Sequence, residues 1–190
     1  PAANKTPLFG GAVDVVTTAT PLAMMKTGDL EALSQYSVMD MFLGKIPGSL
    51  GEVSALLLIV GGLYLIIRKV INWQTPVAYI ATVAVLTVLF PKAGGAEYML
   101  YSIFGGGLFL GAFFMATDYV TSPTTEKGKL VFGIGLGVIT CLIRFFGTMN
   151  EGVSFAILLM NLLVPYIEVL TRQDLLGISK PKKNKGGAAK

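Results

Sequence analysis

The stretch LVFGIGLGVITCLIRFF, residues 130–146, decides the fold of this chain. It is apolar apart from Thr140 and Arg144, and a helix needs about 17–25 mostly apolar residues to cross a bilayer. Four other stretches have the same character: residues 53–67, 76–90, 98–117 and 153–170. The stretch 76–90 is short for a bilayer and is bracketed by Pro76 and Pro91, so we expect it either to begin at Trp73, a side chain suited to the membrane interface, or to be tilted little.

The composition indicates a membrane protein before any motif is considered. Hydrophobic residues make up 53% and charged residues 14% of the chain, against about 25% charged residues in ordinary soluble domains. The sequence therefore predicts an all-α polytopic membrane protein with about five transmembrane helices. We divide it into a polar N-terminal segment (1–36), a half-helix or re-entrant element (37–52), a five-helix bundle (53–171) and a basic tail (172–190). The second segment is half apolar and rich in Gly and Pro, and irregular backbone at membrane depth must be buried in protein or line a cavity.

The basic residues predict how the bundle is oriented. Ten follow the first, third and fifth spans, and five lie on the other side. By the positive-inside rule the C-terminus is cytoplasmic, and five spans then place residues 1–36 outside. The tail KPKKNK, residues 180–185, predicts contact with anionic lipid headgroups. The net charge of +4 is explained by this tail, so we expect no nucleic-acid partner.

Few side chains in this sequence can carry chemistry, since it has no histidine and one cysteine. A lone thiol cannot build an iron–sulfur cluster, so Cys141 is interpreted as a packing residue. Glycines inside the spans allow close helix packing; alternatively, residues 105–107 make room for a planar ligand or loosen a helix. Four acids lie near span ends, where simple solvation explains them: Glu52, Asp118, Glu151 and Glu168.

Asp118 is the best candidate among these acids for a cation path. Thr117, Thr121 and Ser122 supply further oxygen atoms close to it in the sequence. Oxygen ligands suit a hard cation such as Na⁺. The sequence predicts a cation site or path at Asp118, with helix-end solvation as the alternative.

Residues 14–22, DVVTTATPL, form a hydroxyl-rich turn ahead of the spans. Thr20 before a proline is also typical of a helix N-cap. The turn resembles the flavin-attachment signature of membrane subunits in Rnf and sodium-pumping NADH:quinone reductase complexes, Asp-x-x-(Ser/Thr)-(Gly/Ser/Thr)-Ala-Thr. In that family FMN is joined through its phosphate to the last threonine, so the resemblance implies covalent FMN at Thr20 and makes residues 1–36 the flavin-attachment segment. Asp14, Thr17, Thr18 and Ala19 occupy the other positions, and Thr18 stands where Gly or Ser is usual.

Further blocks resemble the same family. They are residues 42–55, with Lys45 and Val53 in place of the usual Asn and Thr, and residues 114–125 and 151–165. The endings of residues 14–22 and 114–125 resemble the RnfD component of Rnf complexes more than the NqrB component of the quinone reductase. Because family members carry more helices ahead of the flavin segment, the resemblance implies the C-terminal half of a longer protein. It also implies one half of an inverted-repeat bundle similar to urea transporters.

The function implied by the resemblance is that of a membrane subunit of an ion-translocating ferredoxin:NAD⁺ oxidoreductase. Its implied cofactor is FMN, with a second, non-covalent flavin left open. Its implied partners are the other Rnf components (A, B, C, E and G), membrane lipid and a flavin transferase, and its location is a bacterial or archaeal inner membrane. Three alternatives remain: the NqrB component of the sodium-pumping quinone reductase, a passive urea-transporter-like channel without flavin, and a purely structural membrane subunit.

Overall fold

The computed structural model describes residues 21–27, 37–44, 54–90, 96–147, 149 and 151–171, and the regular structure in these ranges is helical. The helices are α1 (Pro21–Thr27), α2 (Val38–Leu43), α3 (Ala55–Ile67), α4 (Gln74–Leu89), α5 (Ala96–Phe104), α6 (Leu108–Leu110, continued as a π-helical turn over Gly111–Met115), α7 (Glu126–Phe146) and α8 (Val153–Thr171). The predicted all-α class is confirmed. Each of the five predicted spans contains helix, and α4 begins beside Trp73 as expected.

The five apolar segments differ in whether their helices are long enough to cross a membrane. α7 and α8 have 21 and 19 residues and are long and apolar enough to cross a membrane. α3 and α4 have 13 and 16 residues, about 20 and 24 Å at roughly 1.5 Å per residue, which is less than the roughly 30 Å of a hydrocarbon core. The described residues thus contain two full spans, or three if the bent pair α5–α6 forms one. The number of five crossings stays a prediction.

The third predicted span is not a continuous helix, contrary to the expectation for residues 98–117. Tyr98–Phe104 and Leu108–Met115 meet at an angle of 57°. Gly106 lies between them with φ of +77°, a left-handed conformation that glycine adopts readily and that ends a helix. The bend therefore comes from backbone conformation at the glycine run, which an apolar pattern does not reveal.

The centre of the bundle is the contact between α4 and α7. A Cβ added to Gly133 would lie 2.8 Å from Ala78 Cβ, and one added to Gly137 would lie 2.5 Å from Thr82 Cβ. The glycines thus let the two backbones approach closely, as the packing interpretation predicted. Nearby, the Tyr79 hydroxyl and the Thr140 hydroxyl form a buried 2.6 Å hydrogen bond, which satisfies two polar groups in an apolar core.

The helix termini and the connections between them lie at two opposite ends of the bundle. At one, which we call the Asp118 end, Thr124 donates to Glu168 Oε1 and the Thr125 and Thr171 hydroxyls bond at 2.7 Å. The Tyr119 hydroxyl donates to a backbone carbonyl just after α3 at the same end. The other, the α1 end, holds α1 and the α7–α8 connection. α7 joins the two ends over 21 residues, about 31 Å.

The predicted segment boundaries are only partly covered. Within residues 37–52, Ser37 caps α2 and Gly44 ends it with φ of +86°. Met41 of α2 is fully buried and packs against Tyr101 and Phe104 of α5. Residues 45–53 lie outside the described residues, so the half-helix or re-entrant element stays a prediction. The basic tail, 172–190, and the inverted-repeat relation are likewise untested.

Candidate functional site at the α1 end

The predicted flavin-attachment residues lie outside the described part of the chain. Asp14, Thr17, Thr18, Ala19 and Thr20 all precede Pro21, the first residue of α1. Their assignment stays a prediction. Because Thr20 is joined directly to Pro21, however, the position of α1 shows to which part of the bundle the attachment segment leads.

The described contacts that hold α1 against the bundle include apolar packing and a hydrogen bond. Leu22 is 5% exposed and packs against Tyr98 and Tyr101 of α5. Lys26 Nζ donates a 2.8 Å hydrogen bond to the backbone carbonyl of Met149, in the connection between α7 and α8. The short helix after Thr20 therefore lies over the end of α5 and beside the start of α8.

Arg144 lies next to this contact, near the end of α7. Its Nη1 donates to the backbone oxygen of Ser102 at 2.7 Å and to the Ser102 hydroxyl at 3.1 Å, and its Nε donates to the Glu151 backbone oxygen at 3.2 Å. All three acceptors are uncharged oxygens. A guanidinium has five N–H donors, and Nη2 is buried without a hydrogen-bond partner.

The Glu151 side chain approaches the same place from the start of α8. A Cβ on Gly106 would lie 2.8 Å from Glu151 Oε1 and 3.5 Å from Leu22 Cδ2. The bend between α5 and α6, the first turn of α1 and the Glu151 carboxylate thus meet at one point. We call Leu22, Ser102, Gly106, Arg144 and Glu151 the Arg144 cluster.

The sequence reasoning missed Arg144 as a site residue and counted it only as a basic residue near a helix end. The signal was present, since an ionisable residue within an apolar span is expensive and is functional by default. That rule was applied to the acids alone. Glu151 was expected to be a solvated acid near an interface; the structure places its half-buried side chain against Gly106.

The Asp118 candidate is at the opposite end of the bundle. Asp118 is exposed, and its Oδ2 accepts a 3.2 Å hydrogen bond from the Thr121 hydroxyl. The Thr117 hydroxyl donates to the Phe113 carbonyl in the π-helical turn just before it, and Ser122 donates through its backbone N–H to the backbone carbonyl of Asp118. The structure therefore brings Thr121 to the carboxylate but does not gather the other two hydroxyls around it.

A cavity of about 230 Å³ adjoins this region. Its lining includes hydroxyl groups and a lysine but not Asp118; among its residues are Thr75, Thr117, Ser122, Thr124 and Lys129. Within the described ranges, no group of three His, Cys, Asp or Glu side chains could hold a metal ion. Any cation here would meet mainly hydroxyl and carbonyl oxygens.

The remaining candidates have structural explanations. Glu168 accepts two hydrogen bonds from Thr124, as a capping group at the Asp118 end. Cys141 is 3% exposed inside the α4–α7 contact, which agrees with the interpretation as a packing residue. Glu52 lies outside the described residues.

The Arg144 cluster has features that fit a planar ligand with hydrogen-bond acceptors on its edge. Nη2 is a buried donor without an acceptor among the described residues. Leaving a buried donor unsatisfied costs about 1–3 kcal/mol, and more when the group is charged. Aromatic side chains of α5, Tyr98 and Tyr101, stand beside Leu22 on the same side. A flavin offers carbonyl and ring-nitrogen acceptors on an apolar, planar body, so these residues fit such a group.

The helices and the composition together define a multi-pass helical membrane protein. Comparison with known families narrows this class. The chain belongs to the NQR2, RnfD, RnfE family, whose model matches residues 2–177. The family resemblance expected from the sequence motifs is confirmed.

Three curated relatives are all named as the D component of an ion-translocating oxidoreductase complex. The chain is 46% identical over 172 residues to that of the Na⁺-translocating ferredoxin:NAD⁺ oxidoreductase complex of Acetobacterium woodii, covering 90% of this chain and 52% of that protein. It is 46% identical over 180 residues to the proton-translocating counterpart of Clostridium ljungdahlii, covering 90% and 54%. It is 41% identical over 170 residues to the D component of the ion-translocating oxidoreductase complex of Actinobacillus succinogenes, covering 87% and 48%. The chain spans about half the length of these relatives.

Proposed function

We propose that this chain is part of a membrane subunit of an Rnf-type, ion-translocating ferredoxin:NAD⁺ oxidoreductase. The observation that carries the proposal is the family match over residues 2–177 together with relatives named as the D component of such complexes. The attachment pattern at residues 14–20 supports it, as does the seating of α1 beside the Arg144 cluster. The partners would be the other Rnf components, A, B, C, E and G.

FMN joined to Thr20 as a phosphoester is the proposed redox group, attached by a flavin transferase. FMN supplies one- and two-electron transfer, chemistry that this chain's own side chains lack. The chain would hold the cofactor by the Thr20 hydroxyl and orient it through α1, which Leu22 and Lys26 fix to the bundle. A second, non-covalent flavin would need a site outside these contacts.

The ion moved by the complex is not decided by similarity. Two relatives with the same 46% identity are named for different ions, Na⁺ and the proton. Asp118 is our candidate for the cation path, because its carboxylate and Thr121 lie at a helix end beside the hydroxyl-lined cavity. The proposed orientation places the α1 end outside and the Asp118 end, with four basic residues next to it (Arg68, Lys69, Lys127 and Lys129), in the cytoplasm.

The attachment proposal is tested by fluorescence of the purified protein in a denaturing gel. The parental chain, expressed in a host with the flavin transferase, should show a fluorescent band. Thr20→Val should lose it because the ester oxygen is gone, whereas the matched control Thr18→Val should keep it. Equal fluorescence in Thr20→Val and in the parental chain would refute attachment at Thr20. No fluorescence in the parental chain would favour a channel or a structural subunit.

A further inference from the structure

The Arg144 guanidinium donates hydrogen bonds through Nε and Nη1 but not through Nη2. Ser102 and the Glu151 carbonyl accept from Nη1 and Nε, which fixes the plane of the guanidinium. Nη2 is buried and has no partner among the described residues. The bonded acceptors are neutral, and the Glu151 carboxylate of the same cluster offsets part of the positive charge, so the guanidinium retains charge for a further ligand.

The surroundings of this donor are close to the chain that follows Thr20. Ser102 is one turn before the bend at Gly106, and Leu22 lies at van der Waals distance from the Cβ position of Gly106. The Glu151 carboxylate reaches the same position from α8. The chain two residues after Thr20 is thus in the same cluster as Arg144.

We infer that Arg144 Nη2 donates a hydrogen bond to the isoalloxazine ring of the flavin on Thr20, at the edge that gains negative charge on reduction. The inference rests on the proposed function, since it presumes FMN at Thr20. The ring suits the place better than the phosphate, because a phosphoester anion takes donors from several groups, whereas the two unpaired N–H donors of the described cluster both lie on one atom, Nη2. The neighbouring side chains Leu22, Tyr98 and Tyr101 suit a planar, largely apolar body.

Arg144 in this position raises the midpoint potential of the flavin and takes no part in its attachment. A fixed positive charge next to a group that becomes negative on reduction stabilises the reduced form and raises its midpoint potential. Water is kept from the donor, which strengthens the interaction. Arg144 is therefore a positioning and tuning residue whose loss should leave the bond to Thr20 intact.

The test compares Arg144→Gln with Arg68→Gln, which changes an exposed arginine at the Asp118 end. Both are made in the full-length subunit and purified with the assembled complex. Denaturing-gel fluorescence measures attachment, and a spectroscopic redox titration measures the midpoint potential. Arg144→Gln should keep the fluorescent band. The equilibrium constant for reduction of the flavin should fall roughly tenfold, which lowers the midpoint potential by about 59 mV for a one-electron step. Arg68→Gln should change neither.

Three outcomes decide against the inference. An attached flavin with an unchanged midpoint potential in Arg144→Gln refutes it while leaving the proposed function intact. Loss of the fluorescent band in an assembled Arg144→Gln complex shows that Arg144 serves the phosphate or its attachment, and also refutes it. No flavin in the parental complex refutes the proposed function and this inference with it. If Arg144→Gln does not assemble, Arg144→Lys takes its place; its shorter side chain should lower the potential by part of the same amount, and no fall refutes the inference.

Discussion

Replacing Gly106 by alanine tests the bend that shapes the Arg144 cluster. Gly106 has φ of +77°, and placing a residue with a Cβ in the left-handed region costs about 1–2 kcal/mol. The new methyl group would also lie 2.8 Å from Glu151 Oε1. That oxygen ends a flexible, half-buried side chain, so it can move aside at little cost. We expect Gly106→Ala to lower the free energy of unfolding by about 1–2 kcal/mol, most of it from the backbone.

The assay is equilibrium unfolding of the purified chain in detergent micelles, read by circular dichroism. Gly135→Ala is the matched control, because Gly135 is inside α7 and its new Cβ would meet only the flexible end of Met160. There the gain of about 1 kcal/mol in helix propensity offsets the crowding. The control should unfold close to the parental chain.

A double-mutant cycle separates backbone from steric cost. Gly106→Ala is introduced into a Glu151→Ala background, where the carboxylate no longer stands in the way. If the backbone dominates, alanine at Gly106 still costs about 1–2 kcal/mol there. If the cost disappears in that background, the crowding of Glu151 is the cause and the reasoning from φ is wrong.

Three further predictions concern other parts of the molecule. Gly152→Ala should destabilise more than Gly106→Ala in the same assay, because φ is +71° and the new Cβ would lie 2.4 Å from a branched side chain of α7; an equal or smaller effect would contradict this. For topology, Met149→Cys and Lys185→Cys in a Cys141→Ala background should differ in labelling by an impermeant thiol reagent added to sealed cells. Only Met149→Cys should be labelled, and labelling of Lys185→Cys would overturn the orientation. Asp118→Ala should keep covalent flavin but slow ion-coupled electron transfer or change its Na⁺ dependence; unchanged transport and ion dependence would make this acid a solvated helix end.

Apolar patterning was enough to locate the helices of the predicted spans. The five predicted stretches overlap α3, α4, α5–α6, α7 and α8, because a long apolar run in lipid satisfies its backbone only as a helix. The packing role of Gly133 and Gly137 also followed from the sequence, since small residues within a span have few other uses.

The features missed by sequence reasoning depend on backbone angles and distant contacts. The bend at Gly106 is a matter of φ; a looser helix at residues 105–107 was only an alternative to close packing, because a glycine run in an apolar stretch is equally compatible with a straight helix. Arg144 obtains its acceptors from Ser102, 42 residues away, and from Glu151, across a turn. Neither partner can be read from the neighbours of Arg144 in the sequence.

The reverse error occurred at Asp118, where nearness in sequence suggested a cluster of oxygens. The Thr117 hydroxyl bonds to the backbone of the π-helical turn before it, and Ser122 contacts Asp118 through the main chain. Of the hydroxyls proposed to accompany the carboxylate, only that of Thr121 bonds to it. Adjacency along a chain does not fix the direction in which side chains point.

The glycine-mediated contact between α4 and α7 also has a mechanical consequence. Backbones that touch through Gly133 and Gly137 have no long side chains between them to yield, so the pair behaves as a stiff strut joining the two ends of the bundle. The compliant joint is the 57° bend between α5 and α6, followed by a π-helical turn. We therefore expect a displacement applied at either end to be taken up mainly in α5–α6, with the α4–α7 strut holding the separation of the ends.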